Sequence, residues 1–160
     1  MKTLKVGVLL ALLIIPLFGA FASFSGQASA QYDFFFPQKS HLMSSRFDCL
    51  WSDDNGFSFG FVATLGYGFE HYTTGGSNAY VYGPSFSFGP EIQFPLAGKW
   101  MVSTSVRALA DYALYPTILR GEADLDFRYK VTESLVAGLG AGFLFTEFCA
   151  CIHVQCGVML

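Results

Sequence analysis

Charged side chains occupy alternate positions along one stretch of this chain. Arg120, Glu122, Asp124, Asp126 and Arg128 are separated by single residues, most of them apolar. Side chains at positions i and i+2 point to the same side of a β-strand, so this spacing places both signs of charge on one face. In a confined interior, an unpaired charge costs several kcal/mol. The chemistry that this pattern indicates is therefore mutual ion pairing within a structure.

Two neighbouring stretches extend this predicted network. Arg107 and Asp111 alternate with apolar residues in one of them, and Glu91 does so in the other. Both stretches have the same period of two, so their polar faces can line one shared interior. The predicted polar network consists of Glu91, Arg107, Asp111, Arg120, Glu122, Asp124, Asp126 and Arg128.

The cysteines raise the questions of metal binding and disulfides. Cys149, Cys151 and His153 share one face of a single stretch, with about 7 Å between successive side chains. Structural zinc sites usually draw ligands from turns and from two elements. We therefore favour small side chains that fill an interior, and we predict no metal and no cofactor. In an exported protein, Cys49 could form a disulfide with Cys149 or Cys151, whereas Cys156 lies on the opposite face and is expected to stay free.

The histidines are too few for an obvious catalytic site. Ester hydrolysis needs a nucleophile, a base and an orienting acid held together. The chain has only His41, His71 and His153, and neither of the last two stands in the His-x-Ser arrangement of lipid A deacylases. We predict a protein without enzymatic activity, in which His153 is a hydrogen-bonded structural residue.

The N-terminus has the pattern of an export signal. Two lysines precede an apolar run at residues 6–22, and Ala28-Ser29-Ala30 supplies small residues in the A-x-A arrangement. This is the form of a cleaved secretory signal peptide, and an uncleaved anchor is the alternative. We expect residues 1–30 to be removed and residues 31–160 to form the folded domain.

The composition excludes some classes of protein. Charged residues make up only 13% of the chain, against about 25% in an ordinary soluble domain, while aromatic residues make up 18%. The 12 acidic residues outnumber the nine basic ones, and there is no basic patch, so nucleic acid is not an expected partner. A chain this apolar, without a second helix-length apolar run, must distribute its apolar residues along β-strands.

Six stretches show this period of two clearly. Turn residues such as Ser52-Asp53-Asp54-Asn55-Gly56 and Ala97-Gly98-Lys99 separate them. Residues 31–50 have room for two more strands. We therefore predict an all-β fold, an antiparallel up-and-down transmembrane β-barrel of eight strands. The six stretches are 57–71, 80–96, 100–114, 119–131, 135–145 and 148–160.

The turns also predict which residues face each other. A hairpin tip at Pro116-Thr117 would set Arg107 opposite Asp126, and a tip at Ala97-Gly98-Lys99 would set Arg107 opposite Gly89. A tight link at Thr146-Glu147 would set two glycines opposite larger side chains. Those two pairs are Gly142 with Cys151 and Gly140 with His153.

Alternation alone does not decide which face is outside. A soluble lipocalin-like barrel would hide the apolar face in a ligand cavity. Here the other face is rich in glycine and serine, and its charges come in both signs, as a narrow interior requires. We therefore expect the apolar face to meet lipid, and keep a soluble exported barrel that binds an apolar ligand as the alternative.

The end of the chain resembles a known family. Residues 122–145 read EADLDFRYKVTESLVAGLGAGFLF, and the positions alternating back from Leu160 are apolar. This is similar to small eight-stranded outer-membrane barrels of the opacity, OmpX and OmpW type, although that family usually ends in an aromatic residue. The resemblance implies the outer membrane of a two-membrane bacterium, contact with its lipid, and recognition of the last strand by the insertion machinery.

The resemblance also implies a range of roles. These are a structural role, contact of surface loops with a host or surface ligand, or a narrow path for small molecules. An eight-stranded barrel is filled by its own side chains, so bulk flow is not expected. A lipid-modifying enzyme carried on the barrel is the second alternative.

Overall fold

The computed structural model describes residues 23–36, 39–74, 77–111, 119–145 and 148–160. Eight antiparallel strands form a closed barrel in which each strand pairs with its neighbours in sequence and β1 closes against β8. No helix among these residues is long and apolar enough to cross a membrane. The strands are β1 Ser23–Phe36, β2 Ser40–Ser52, β3 Ser58–Thr74, β4 Ser77–Pro95, β5 Trp100–Asp111, β6 Leu119–Lys130, β7 Leu135–Leu144 and β8 Cys149–Met159.

The predicted fold class is confirmed. The six clear stretches became β3 to β8, and the ambiguous N-terminal part supplies β1 and β2. Strand β2 shows why: Leu42, Arg46 and Leu50 point inward, while Met43 and Phe47 between them point outward. The same alternation, read around the whole barrel, produces a polar interior and an apolar exterior.

Local chemistry forms the turns. At the predicted turn between β2 and β3, the Asp53 carboxylate accepts hydrogen bonds from the backbone N–H of Asn55 at 2.9 Å and of Phe57 at 2.8 Å. Gly56 adopts a φ of +82°, which glycine tolerates without strain. Gly98 does the same between β4 and β5 with a φ of +69°. These turns place β2 beside β3 and β4 beside β5.

Most of the predicted facing pairs are found. Gly142 pairs with Cys151, and Gly140 pairs with His153. Gly89 lies against the backbone of Arg107, so closely that a Cβ on Gly89 would overlap it.

The predicted pairing of Arg107 with Asp126 is wrong. Arg107 lies opposite Glu122, four positions away along β6. The Arg107 guanidinium reaches both Glu122 and Asp124 in this register. The turn signal at Pro116-Thr117, which lies outside the described residues, was therefore a poor guide to the register.

The expected start of the mature chain does not coincide with a strand end. Strand β1 begins at Ser23, so a boundary at Gln31 lies inside the strand. Gln27 and Ser29 point into the interior, with 5% and 7% of their surface exposed. At the chain end, the backbone N–H of Leu160 donates to the carbonyl oxygen of Gly26 at 2.8 Å. Cleavage after residue 30 would remove residues 23–30 of β1. The pairing of this part of β1 with β2 and β8 would then be lost.

We therefore expect the mature N-terminus at Ser23. Ala20-Phe21-Ala22 is a second A-x-A arrangement, and it stands directly before β1. N-terminal sequencing of the protein from the membrane fraction should read Ser-Phe-Ser-Gly. Ala22→Leu should block processing, whereas the outward-facing Ala30→Leu should not. A mature chain that begins at Gln31 would contradict this assignment.

Candidate functional site

The interior of the barrel is the most unusual chemical environment of the protein. Charged side chains are among its largest fully buried groups, and Arg46, Arg128 and Asp126 have no exposed surface. Groups of this kind remain buried only when they are paired and hydrogen-bonded. We therefore describe the interior charges as the candidate site.

Two arginines form the centre of the network. Arg46 on β2 contacts Asp48 at 2.8 Å, Glu91 at 3.0 Å and Asp126 at 3.1 Å. Arg128 on β6 contacts Glu91 at 2.8 Å and Asp48 at 3.2 Å. Both oxygens of Glu91 are therefore used, one by each arginine. The network connects β2, β4 and β6 through the interior, in addition to the hydrogen bonds along the wall.

A second group of ion pairs surrounds Arg107 on β5. Its guanidinium contacts Asp124 at 2.8 Å and Glu122 at 3.2 Å, both on the adjacent strand β6. It also donates to the hydroxyl of Ser87 at 3.3 Å. Gly89 on β4 lets the two backbones approach closely beside Arg107, because a Cβ there would overlap backbone atoms of Val106 and Arg107.

His153 on β8 lies between these groups and β1. Its Nε2 is 2.5 Å from Asp126 Oδ1, and its Nδ1 is 3.6 Å from Asp33 Oδ1. Gly140 on the adjacent strand makes this position available, because a Cβ there would collide with the His153 ring. The carboxylates of Asp126, Asp33 and Asp124 therefore surround the His153 ring.

Apolar side chains cover the charged layer at both ends. Leu50, Met101 and Val136 are buried near the turns that follow β2, β4 and β6. Toward the opposite end lies a buried cluster of apolar and thiol side chains. Its members are Phe35, Leu42, Leu109, Leu144, Cys149 and Cys151. The described interior is therefore a filled core and not an open pore.

The structure places most of the predicted network residues in this interior. Asp111 and Arg120 belong to strands, but their side chains lie outside the described part of the structure. The buried members are Glu91, Arg107, Glu122, Asp124, Asp126 and Arg128.

Sequence reasoning missed three central charges. Asp33, Arg46 and Asp48 are all buried, with at most 1% of their surface exposed. They lie within residues 31–50, for which the sequence predicted only that there is room for two strands. A usable signal was present, because residues 42–50 alternate between inward and outward positions as regularly as the later strands do.

The possible disulfides of Cys49 are not formed. Cys49 points outward from β2, whereas Cys149 and Cys151 point inward from β8, so the barrel wall separates them. None of the four cysteines forms a disulfide, and Cys156 is exposed as expected. The Cys149 thiol donates to the carbonyl oxygen of Phe36 at 2.7 Å.

Comparison with known proteins identifies the fold and nothing more specific. No protein-family model and no curated protein matches the chain. Its structure is similar to that of a chain solved in work on the de novo design of transmembrane β-barrels. The TM-score is 0.55 at 9% sequence identity, and the match covers 85% of this chain and 95% of that one. At this identity the likeness shows a transmembrane-barrel type of fold, without a role.

We expect Arg46→Met to destabilise the barrel by about 3–5 kcal/mol, because Asp48, Glu91 and Asp126 would then share only Arg128. The measurement is the urea unfolding midpoint in detergent micelles, followed by tryptophan fluorescence. Lys99→Met, at an exposed turn residue, is the matched control and should leave the midpoint unchanged. Equal midpoints for the two variants would mean that the central network contributes no stability.

Proposed function

We propose that this protein is a small outer-membrane β-barrel of a two-membrane bacterium, without enzymatic activity. Its role is structural or in surface contacts, and a narrow conduit for small molecules has less support because side chains fill the described interior. The observation that carries this proposal is the inverted polarity of the barrel. Charged groups fill its interior and large apolar side chains cover its exterior.

The apolar side chains on the exterior support the proposal that lipid surrounds the barrel. Soluble monomers rarely expose apolar patches larger than a few hundred Å². Here outward side chains on many strands are apolar and half exposed or more, among them Leu65 at 61%, Leu139 at 59% and Val154 at 57%. Because a closed barrel satisfies every backbone hydrogen bond within its wall, such a surface can be in direct contact with acyl chains.

Aromatic pairs cluster near both ends of the exterior. Near the turns after β2 and β4, Phe57 and Phe94 have ring centroids 5.1 Å apart, and near the β6 end Trp100 and Tyr129 are 4.9 Å apart. At the other end, Phe34 and Phe36 are 4.5 Å apart. Two such belts are typical of the interfacial girdles of transmembrane barrels.

One hairpin favours a role in surface contacts. Strands β3 and β4 contain 17 and 19 residues, more than the nine to eleven or so that a tilted strand needs to cross a bilayer. Their pairing continues to Thr74 and Ser77. This hairpin therefore extends well beyond the length of β7, which has 10 residues. It could present a ligand-binding surface outside the membrane.

The alternatives have less support. A soluble barrel that binds an apolar ligand needs an apolar cavity, but ion pairs occupy the described interior. A lipid-modifying enzyme needs a base that its substrate can reach, but His153 is only 2% exposed within the filled interior. The proposed partners are outer-membrane lipid, the insertion machinery through β8, and a host or surface ligand, with no nucleic acid.

The first test is heat-modifiability. The protein should need detergent for extraction, and should migrate differently on a detergent gel before and after boiling, because a closed barrel resists unfolding by detergent alone. Recovery in the soluble fraction without a mobility shift would reject the membrane proposal.

A second test shows whether the outer face of the barrel is in contact with lipid or with water. Leu125→Arg, midway along β6 and outward-facing, should cost about 2–4 kcal/mol of stability in lipid vesicles, measured by urea unfolding. Val131→Arg, exposed at the turn after β6, is the control and should cost about 0–1 kcal/mol. Two equally small effects would indicate that this face is in water.

A further inference from the structure

Negative charge exceeds positive charge in the described interior. Three arginines are buried there, against six carboxylates. Arg46 and Arg128 bind one set of acids, and Arg107 binds Glu122 and Asp124. Asp33 accepts a hydrogen bond from Gln31 at 2.6 Å and otherwise faces His153. Asp33 therefore adds a negative charge where β1, β6 and β8 meet, beside the unmatched charge of the Glu122 and Asp124 pair.

Three buried polar atoms at this meeting point have no hydrogen-bond partner among the described residues. They are Asp33 Oδ2, Asp124 Oδ1 and His153 Nδ1. Their side chains are 1%, 3% and 2% exposed, respectively. Leaving such an atom unsatisfied normally costs about 1–3 kcal/mol, so a cluster of them requires an explanation.

The spacing of these groups suits a single cation. His153 Nδ1 is 3.6 Å from Asp33 Oδ1 and 4.0 Å from Asp124 Oδ1. Tetrahedral ligands bound at about 2.0–2.1 Å lie roughly 3.3 Å apart, so a small contraction would bring these atoms into place. Cys151 belongs to the same cluster, since its sulfur and the ligand atoms of Asp33 and His153 lie within 4.8 Å of one another.

The second ring nitrogen of His153 is hydrogen-bonded to a carboxylate, as it is in many metal sites. Its Nε2 is bound to Asp126, so Nδ1 can carry its lone pair toward the cluster. Histidines that bind metals usually donate their second ring N–H to a carboxylate in this way. Furthermore, the groups come from three strands, which removes the objection that a single strand rarely forms a zinc site.

We propose that Asp33, Cys151 and His153 bind one divalent transition-metal ion, Zn²⁺, inside the barrel, and that Asp124, 4.0 Å from His153 Nδ1, supplies the fourth donor. Mixed sulfur, nitrogen and oxygen donors are the set that zinc accepts in a tetrahedral site. Binding releases the Cys151 thiol proton to solvent, because the thiolate is the ligand. The ion offsets the surplus negative charge and gives a partner to Asp124 Oδ1 and His153 Nδ1. Cys149 is not a ligand, because its thiol is directed to the Phe36 carbonyl.

The test measures zinc in refolded protein. The full chain is unfolded in urea with a thiol reductant, refolded into detergent micelles with Zn²⁺, and freed of loose metal on a chelating resin. We expect about one zinc per heat-modifiable chain. Cys151→Ser and Asp33→Asn should lower this content at least several-fold. Cys156→Ser, which removes a thiol from the outer face, is the control and should retain the metal.

Cobalt provides a second measurement, whose first readout is taken on the wild-type chain. Refolding with Co²⁺ should give a thiolate-to-cobalt absorption band in the near ultraviolet. The band should persist when Cys49, Cys149 and Cys156 are all replaced by serine, since Cys151 is then the only thiol. Wild-type protein that retains no zinc, Cys151→Ser that retains as much as wild type, or folded cobalt protein without the band would each overturn the proposal.

Discussion

The requirement that buried charges be paired shapes this barrel. Arg46 and Arg128 have no exposed surface, and together they bind Asp48, Glu91 and Asp126. Removing such a group from water is favourable only if its partners meet it with good geometry. Those partners stand on β2, β4 and β6, so the network connects strands that are not neighbours in the wall. The positions of these strands around the barrel are therefore tied to the geometry of the ion pairs.

The interior can hold these long side chains because small residues face them. Gly140 lies opposite His153, and Gly142 lies opposite Cys151. A Cβ at either glycine would overlap the facing side chain. In an eight-stranded barrel the interior is just wide enough for side chains to fill. The glycine-rich strand β7 therefore provides space for β8, which explains a composition that would otherwise weaken a strand.

The polarity of the two faces connects structure with function. An apolar exterior with aromatic belts and a charged, filled interior is the reverse of a soluble ligand-binding barrel. A chain from work on designed transmembrane barrels shares the fold at 9% identity, so the fold does not depend on particular residues. For the same reason the fold is not informative about the role. Evidence for a role must come from the long β3–β4 hairpin and from the interior cluster around His153.

The sequence by itself determined strands β3 to β8 and which of their side chains share a face, because a period of two is a local property that can be read residue by residue. It did not determine the register. A shift by an even number of residues leaves every side chain on its own face, so Arg107 opposite Asp126 and Arg107 opposite Glu122 satisfy the pattern equally. Likewise, two A-x-A sites precede Gln31, and only the pairing of β1 with β2 and β8 favours the earlier one. Contacts such as Arg46 with Glu91, 45 residues apart, exist only once the barrel closes, because closure brings distant strands to face each other across the interior.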